Sequence, residues 1–277
     1  MVSRLDFANL CGKLAPSTTF MKDFKKLALE DTFQFSCHPG IVCFNRCCAD
    51  LNQFLTPYDI LRLKQGLKLS SGEFLKRYTT HHIGPGSGLP IVTLEMRKHE
   101  DLSCPFVSKA GCTVYQDRPG SCRIYPLARI VQRSPDQHAC EEFHVLIQEP
   151  HCLGFEEPEK WTVKEWKKSQ AVEPYDEMND LLMDIISLKN RSGRKRLAPK
   201  ENELFYLACY DLDRFRDFVF AESLWETHPI DEKALKTLED DDVALMQFGI
   251  EWIKGQLFGD SATKLESTKV RKHERGS

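Results

Sequence analysis

Nine of the eleven cysteines in this chain lie between residues 37 and 152, and eight of these nine have a spacing that suits metal coordination better than cross-linking. The eight run Cys37, Cys43, Cys47 and Cys48, then Cys104, Cys112 and Cys122, then Cys152. Thiolate is the soft ligand that selects zinc, copper(I) or iron–sulfur clusters. A chain of 277 residues can bury a core without covalent staples, because the domains that need them are those below about 40–70 residues. The odd total also argues against complete disulfide pairing.

Charge and hydropathy narrow the partners. The 38 basic and 41 acidic residues nearly cancel, leaving no global electrostatic case for nucleic acid or an anionic membrane. No apolar run approaches the roughly 18 residues of a membrane helix. The start, Met1-Val-Ser-Arg-Leu-Asp-Phe, lacks the apolar core of an export signal. A reducing cytoplasm is therefore expected, where clustered cysteines read as ligands rather than disulfides.

Local signals sketch an α+β chain. Phe20 to Leu29 predicts a short helix. Thr56-Pro57 sets a capping hydroxyl before a proline at the first helical position, with Ile60, Leu61, Leu63 and Leu67 as the apolar face. Ser70-x-x-Glu73 is a capping box for a second helix. Gly84 to Pro90 looks like a phosphate loop but lacks the Lys-Ser/Thr ending, and the strand-like Ile91 to Met96 follows it, so it reads as a structural turn. Cys104 to Tyr115 predicts a hairpin turning near Lys109-Ala110-Gly111, and Asp117 to Gly120 turns the chain toward Cys122.

Beyond Glu156, Trp161 to Trp166 and Met178 to Ile186 carry helical spacing, and two more helices are expected around Leu204–Phe220 and Val243–Phe258. Residues 190–200 hold five positive charges and no acid, which reads as a solvated linker. The expected organisation is an N-terminal extension (1–36), a cysteine-cluster domain (37–157) with a small antiparallel sheet, a helical region (158–260) and a disordered polar tail (261–277).

Four sulfurs within twelve residues can wrap a small ion or cluster, and the hairpin adds Cys104 and Cys112. Cys122 and Cys152 must be brought in by the fold. Eight thiolates exceed the four that one tetrahedral zinc takes, which points to two four-sulfur sites or a polynuclear cluster plus spares. On extended backbone the neighbours Cys47 and Cys48 point to opposite sides, so sharing one ion requires a bend. Cys11 and Cys209 read as space-fillers, and Cys140 is an alternative to Cys152 as the last ligand. His38, His81, His82 and His144 lack the His-x3-His spacing of a metal helix. Arg118 and Arg123, flanking Cys122, are candidates to bind the cofactor by donating to its sulfurs, or an anionic substrate; an ordinary ion pair is the alternative.

Cys43-Phe-Asn-Arg-Cys47-Cys48, Cys104-Pro-Phe, Gly111-Cys112-Thr-Val-Tyr115 and Arg118-Pro-Gly-Ser-Cys122-Arg-Ile-Tyr125-Pro126 together resemble the YkgJ-like cysteine-cluster proteins. The Gly84–Pro90 loop, Cys152-Leu-Gly-Phe155 and Trp161 to Trp166 are similar to longer bacterial members, so the resemblance spans about residues 33–187. It departs at the five residues between Cys37 and Cys43, where many members have two. The resemblance implies zinc or iron chelation. A similar cluster occurs in flagellin lysine N-methylases. The reading that follows is an iron–sulfur protein acting in electron transfer or redox sensing with a protein partner. Its rivals are a zinc-stabilised interaction module and a cluster-dependent protein-modifying enzyme.

Overall fold

The computed structural model describes residues 25–98, 102–133, 140–224 and 232–259, with the backbone alone at 132, 133, 140, 141 and 232–234. It is α+β, as expected, with small antiparallel sheets in the first half and helices dominating the second. Two short strands open it, β1 (Lys26–Leu27) and β2 (Thr32–Gln34). The helix expected from Phe20 to Leu29 is therefore corrected over its end, while residues 20–24 lie outside the described residues. Leu27 is buried and pairs across a strand, with exposed Lys26 opposite Val145, and this alternation is a strand period.

Next come β3 (Phe54–Leu55), α1 (Pro57–Leu67), α2 (Ser71–Tyr78), β4 (Thr79–Ile83) and β5 (Pro90–Leu94). Both helices start where the sequence marks them. Thr56 and Ser70 each accept from the amide three residues on, and Asp59 and Glu73 reach back to the cap amides. Gly84 to Pro90 forms the turn between β4 and β5, which pair from Thr79↔Leu94 to Ile83↔Pro90, while β3 adds to the other side of β5. The expected hairpin is present as β6 (Val107–Ser108) and β7 (Gly111–Cys112), and Cys122 lies in the short helix α3 (Gly120–Ile124).

A second hairpin, β8 (Leu127–Arg133) and β9 (Cys140–Leu146), takes β1 on its far edge. Strand β10 (Lys160–Thr162) pairs with β2, so Trp161 lies in a strand and only the residues after Thr162 are helical, as α4 (Val163–Ser169). The remaining helices are α5 (Glu173–Arg191), α6 (Pro199–Cys209), α7 (Leu212–Ala221), α8 (Glu232–Asp240) and α9 (Asp242–Phe258). The helix expected around 204–220 is two helices, broken at Tyr210-Asp211.

The main core does not stop at the cysteine-rich half. Leu61, Leu63 and Phe74 of α1 and α2 pack in one cluster with Ile185, Phe205, Phe215 and Ile250 of the later helices. Lys64, buried on α1, reaches Asp213 at 3.3 Å and Asp242 at 2.8 Å, tying α1 to α7 and α9. A second cluster joins Leu27, Phe33 and Phe35 to Ile124, Leu127, Val163 and Trp166. Among the described residues no helix is long and apolar enough to cross a membrane.

Candidate metal centre

The first group of sulfurs is assembled by backbone contacts between segments far apart in sequence. The Phe35 amide donates to Glu159 O and the Ser36 amide to Gly154 O, both at 3.0 Å, which lays the approach to Cys37 along the segment that follows Cys152. Only glycine fits at 154, since a Cβ there would stand 2.6 Å from both the Phe35 ring and the Ser36 carbonyl oxygen. The loop then rolls through successive turns: Phe44 N to Ile41 O, Arg46 N to Cys43 O and Cys48 N to Asn45 O. Asn45 sits in the left-handed region (φ 69°), a conformation asparagine tolerates, and its side-chain amide donates to Ser108 O at 2.9 Å. The Leu153 amide donates to Cys43 Sγ at 3.3 Å.

These contacts bring four thiols into mutual influence. Burial first, then Cys47, Cys43 and Cys152, push the Cys37 thiol up to about 11. The Cys47 thiol is raised chiefly by its hydrogen bond with Cys48, and then by burial. Cys37, Cys43, Cys47 and Cys152 thus form one group.

A second group forms around the hairpin. The Cys104 amide donates to Cys48 O at 2.8 Å, the Asp50 amide to Leu102 O at 2.9 Å, and Ala49 bridges Ser103. Burial raises both hairpin thiols, and at Cys104 the neighbouring Cys112 adds to it. The Cys122 thiol is raised by burial and then by Cys104, Asp59, Cys112 and Cys47. Cys122 is exposed at the surface. Its sulfur donates to Gln53 Oε1 at 3.4 Å, and Gln53 is held by Nε2 bonds to Phe54 O (2.8 Å) and Ser121 Oγ (2.7 Å). Buried Asp59 accepts from the Gly120 amide at 2.8 Å and fixes the start of the helix that carries Cys122.

The two groups meet at the vicinal pair. Arg46–Cys48 is a turn of 3-10 helix, so the backbone at the pair is bent rather than extended, and the Cys48 thiol acts on that of Cys47. Cys47 interacts with Cys37 on one side and Cys122 on the other. Among the described residues no three Cys, His, Asp or Glu side chains are set to hold a single ion together. The donor chemistry nonetheless fits a soft metal: every member of both groups is a thiol, and the neighbouring sulfurs disfavour one another's ionised form. A cation among them reverses that repulsion.

The other candidates fall elsewhere. Arg118 donates to Tyr115 O and to Gln170 Oε1 (2.6 Å), with its guanidinium 3.7 Å over the Tyr115 ring. Arg123 donates to Gln170 O (2.8 Å) and Gln116 O and lies 4.9 Å over the Tyr175 ring. Both therefore bind the Cys122 segment to the connection between α4 and α5, and their hydrogen bonds go to neither sulfur nor carboxylate. The charge of Arg118 still acts on Cys112.

Cys209 is fully buried in the helical core, as a space-filler should be. Cys140 opens β9 opposite Arg133, its side chain lying outside the described residues, as does Cys11. His38 pairs with Glu157 at 3.2 Å, His81 packs tilted against Tyr206 with ring centroids 4.8 Å apart, and His144 is buried in β9. Gln53, Asp59 and Tyr125 are the neighbours of the sulfurs whose roles sequence reasoning missed. Only Asp59 had a signal, as the third residue of the capped helix α1.

Residues 36–144 match the family model described as "CxxCxxCC: Putative zinc- or iron-chelating domain". Over that segment the chain is similar to the YkgJ-like cysteine domains, in keeping with the motifs around Cys47, Cys104, Cys112 and Cys122. Cys152, which the fold groups with Cys37, Cys43 and Cys47, lies beyond the matched segment. No curated protein and no solved structure matches the chain.

Proposed function

We propose that this chain is a cytoplasmic metal-binding protein. One centre would be held by Cys37, Cys43, Cys47 and Cys152, and the other by Cys104, Cys112 and Cys122 with Cys48. The observation that carries the reading is the joining of the cysteine-bearing segments by the Ser36–Gly154 and Cys104–Cys48 backbone bonds and by the Leu153 amide on Cys43 Sγ, which sets thiols from distant parts of the chain beside one another. Structural burial alone gives no reason to gather them, since isolated buried cysteines such as Cys209 fill space equally well.

The metal we favour is iron, as iron–sulfur clusters, with electron transfer or redox sensing as the role and a redox protein as the partner. When bound, such a cluster supplies a one-electron couple whose potential follows its charge, its hydrogen bonds and its exposure. The contacts available to tune it are the Leu153 amide on Cys43 and the Arg118 charge beside Cys112. Zinc is the second reading, and the bend at Cys47-Cys48 favours it, because that bend removes the need for the pair to serve two metals. In that case the centre is a structural element of an interaction module.

Anaerobic purification followed by iron, zinc and acid-labile sulfide analysis separates the two. Iron with sulfide, and a paramagnetic signal after dithionite reduction, supports the first reading. Stoichiometric zinc without sulfide or signal replaces it with the second.

A further inference from the structure

Tyr125 holds a buried hydroxyl that has no hydrogen-bond partner. Buried hydroxyls left unpaired are uncommon in native proteins, because the group has lost water without gaining a replacement. A phenylalanine would fill the same space: the ring packs edge-on against Phe35 at a 5.8 Å centroid distance and belongs to the cluster around Leu27 and Trp166. Packing thus accounts for the ring and leaves the oxygen unexplained.

The chemistry beside that oxygen is sulfur. The hydroxyl interacts with the Cys152 thiol, short of hydrogen-bond geometry, and Glu149 and Cys47 act on it from further away. Cys152 itself is held by its amide on Glu149 O at 2.9 Å, and the next residue's amide points at Cys43 Sγ. A neutral thiol is a weak acceptor, whereas a thiolate accepts a charge-assisted bond.

We infer that Tyr125 is a positioning residue of the first sulfur group, donating its hydroxyl hydrogen to the Cys152 sulfur when that sulfur is a metal-bound thiolate. The inference rests on the metal-centre reading above and deepens it: it makes Cys152, rather than Cys140, the last ligand. Partners of this kind fix the orientation of a ligand and its donor strength.

The test uses the full-length chain, freed of metal and titrated with cobalt(II), whose thiolate charge-transfer band reports sulfur donor strength. Tyr125→Phe should move that band to longer wavelength and weaken cobalt binding about tenfold. The melting temperature of the metal-free protein should stay equal or rise, because only an unpaired hydroxyl is lost. Leu27→Val, which loosens the same apolar cluster and keeps the hydroxyl, should leave the band where it is. An unchanged band and affinity in Tyr125→Phe overturns the inference, as does an equal shift in Leu27→Val. Wild-type protein that takes up no cobalt overturns the metal-centre reading itself, and the inference with it.

Discussion

The amide of Cys104 donates a 2.8 Å hydrogen bond to the carbonyl of Cys48. This bond joins the loop that carries the first four cysteines to the hairpin that carries the next two. It is continued by the Asp50–Leu102 bond and braced by Asn45 on Ser108. The sulfurs are thus positioned by backbone pairing between distant segments, and changes in that pairing should reach the metal without touching a cysteine.

Gly154→Ala is the sharpest such change. The added Cβ would meet the Phe35 ring and the Ser36 carbonyl at 2.6 Å, and neither can move without opening the cluster beneath. Overpacking of this kind costs about 1–3 kcal/mol. Chemical denaturation should show that loss, and metal content should fall with it because Cys37 and Cys152 are aligned by the same contact.

Asp59→Asn tests the support of Cys122. The carboxylate accepts from the Gly120 and Thr56 amides with different oxygens, and an amide side chain can serve only one of them. The amide left facing an N–H costs about 1–3 kcal/mol. Equilibrium unfolding should register that loss, and alkylation of Cys122 in the metal-free chain should speed up as its helix loosens.

Much of the frame was legible locally. The start of α1 follows from Thr56 and Pro57, the start of α2 from Ser70 and Glu73, and the turn of the β6–β7 hairpin from Gly111, which takes a φ of 115°. These are short-range effects of side chain on nearby backbone, which a spacing can encode. The β8–β9 hairpin escaped because Leu127–Arg133 is not followed by a tight-turn pair such as Asn-Gly. The short helix α8 also escaped, since apolar positions are sparse between Glu232 and Asp240.

At the site, the cysteines themselves were conspicuous but their grouping was not. Whether Cys152 joins Cys37 depends on Gly154 accepting the chain at Ser36, a contact across more than a hundred residues. The placements of Gln53 and Tyr125 are likewise set by tertiary packing. The two arginines beside Cys122 are a further case of tertiary packing deciding a contact. Their nearness in sequence suggested contact with sulfur, while the helical turn aims them at Gln116, Tyr115 and Gln170.

His144 predicts a pH dependence. Burial, and then the charge of Lys167, push its folded-state value from about 6.5 down to about 4, Glu142 opposing and Arg129 adding to the effect. A base depressed on folding is neutral in the folded chain and protonates first in the unfolded one. The stability it contributes is therefore present above pH 6.5 and is lost as pH falls toward 4. Urea denaturation at stepped pH should show this decline, and His144→Leu should flatten it over that interval.

Removing the helices tests the shared core. A chain ending at Glu157 loses Ile185, Phe205, Phe215 and Ile250, and so exposes Leu61, Leu63 and Phe74, each now fully buried. It also loses Trp161, Val163 and Trp166 from the cluster around Phe33 and Phe35. Such exposure of contiguous apolar surface leads to association. Thermal melting should lack a cooperative transition, and gel filtration should show aggregates, where the intact chain melts cooperatively.

The division of the sulfurs into two groups is the central claim, and metal per chain in three anaerobically purified variants tests it most directly. Cys152→Ser removes a member of one group and Cys112→Ser a member of the other, on either side of the Cys47-Cys48 junction. The account predicts that each retains about half of the wild-type metal, and that the double variant retains almost none, since a site lacking one of its few ligands binds far more weakly. Full metal retention in either single variant, or complete loss in both, would contradict it.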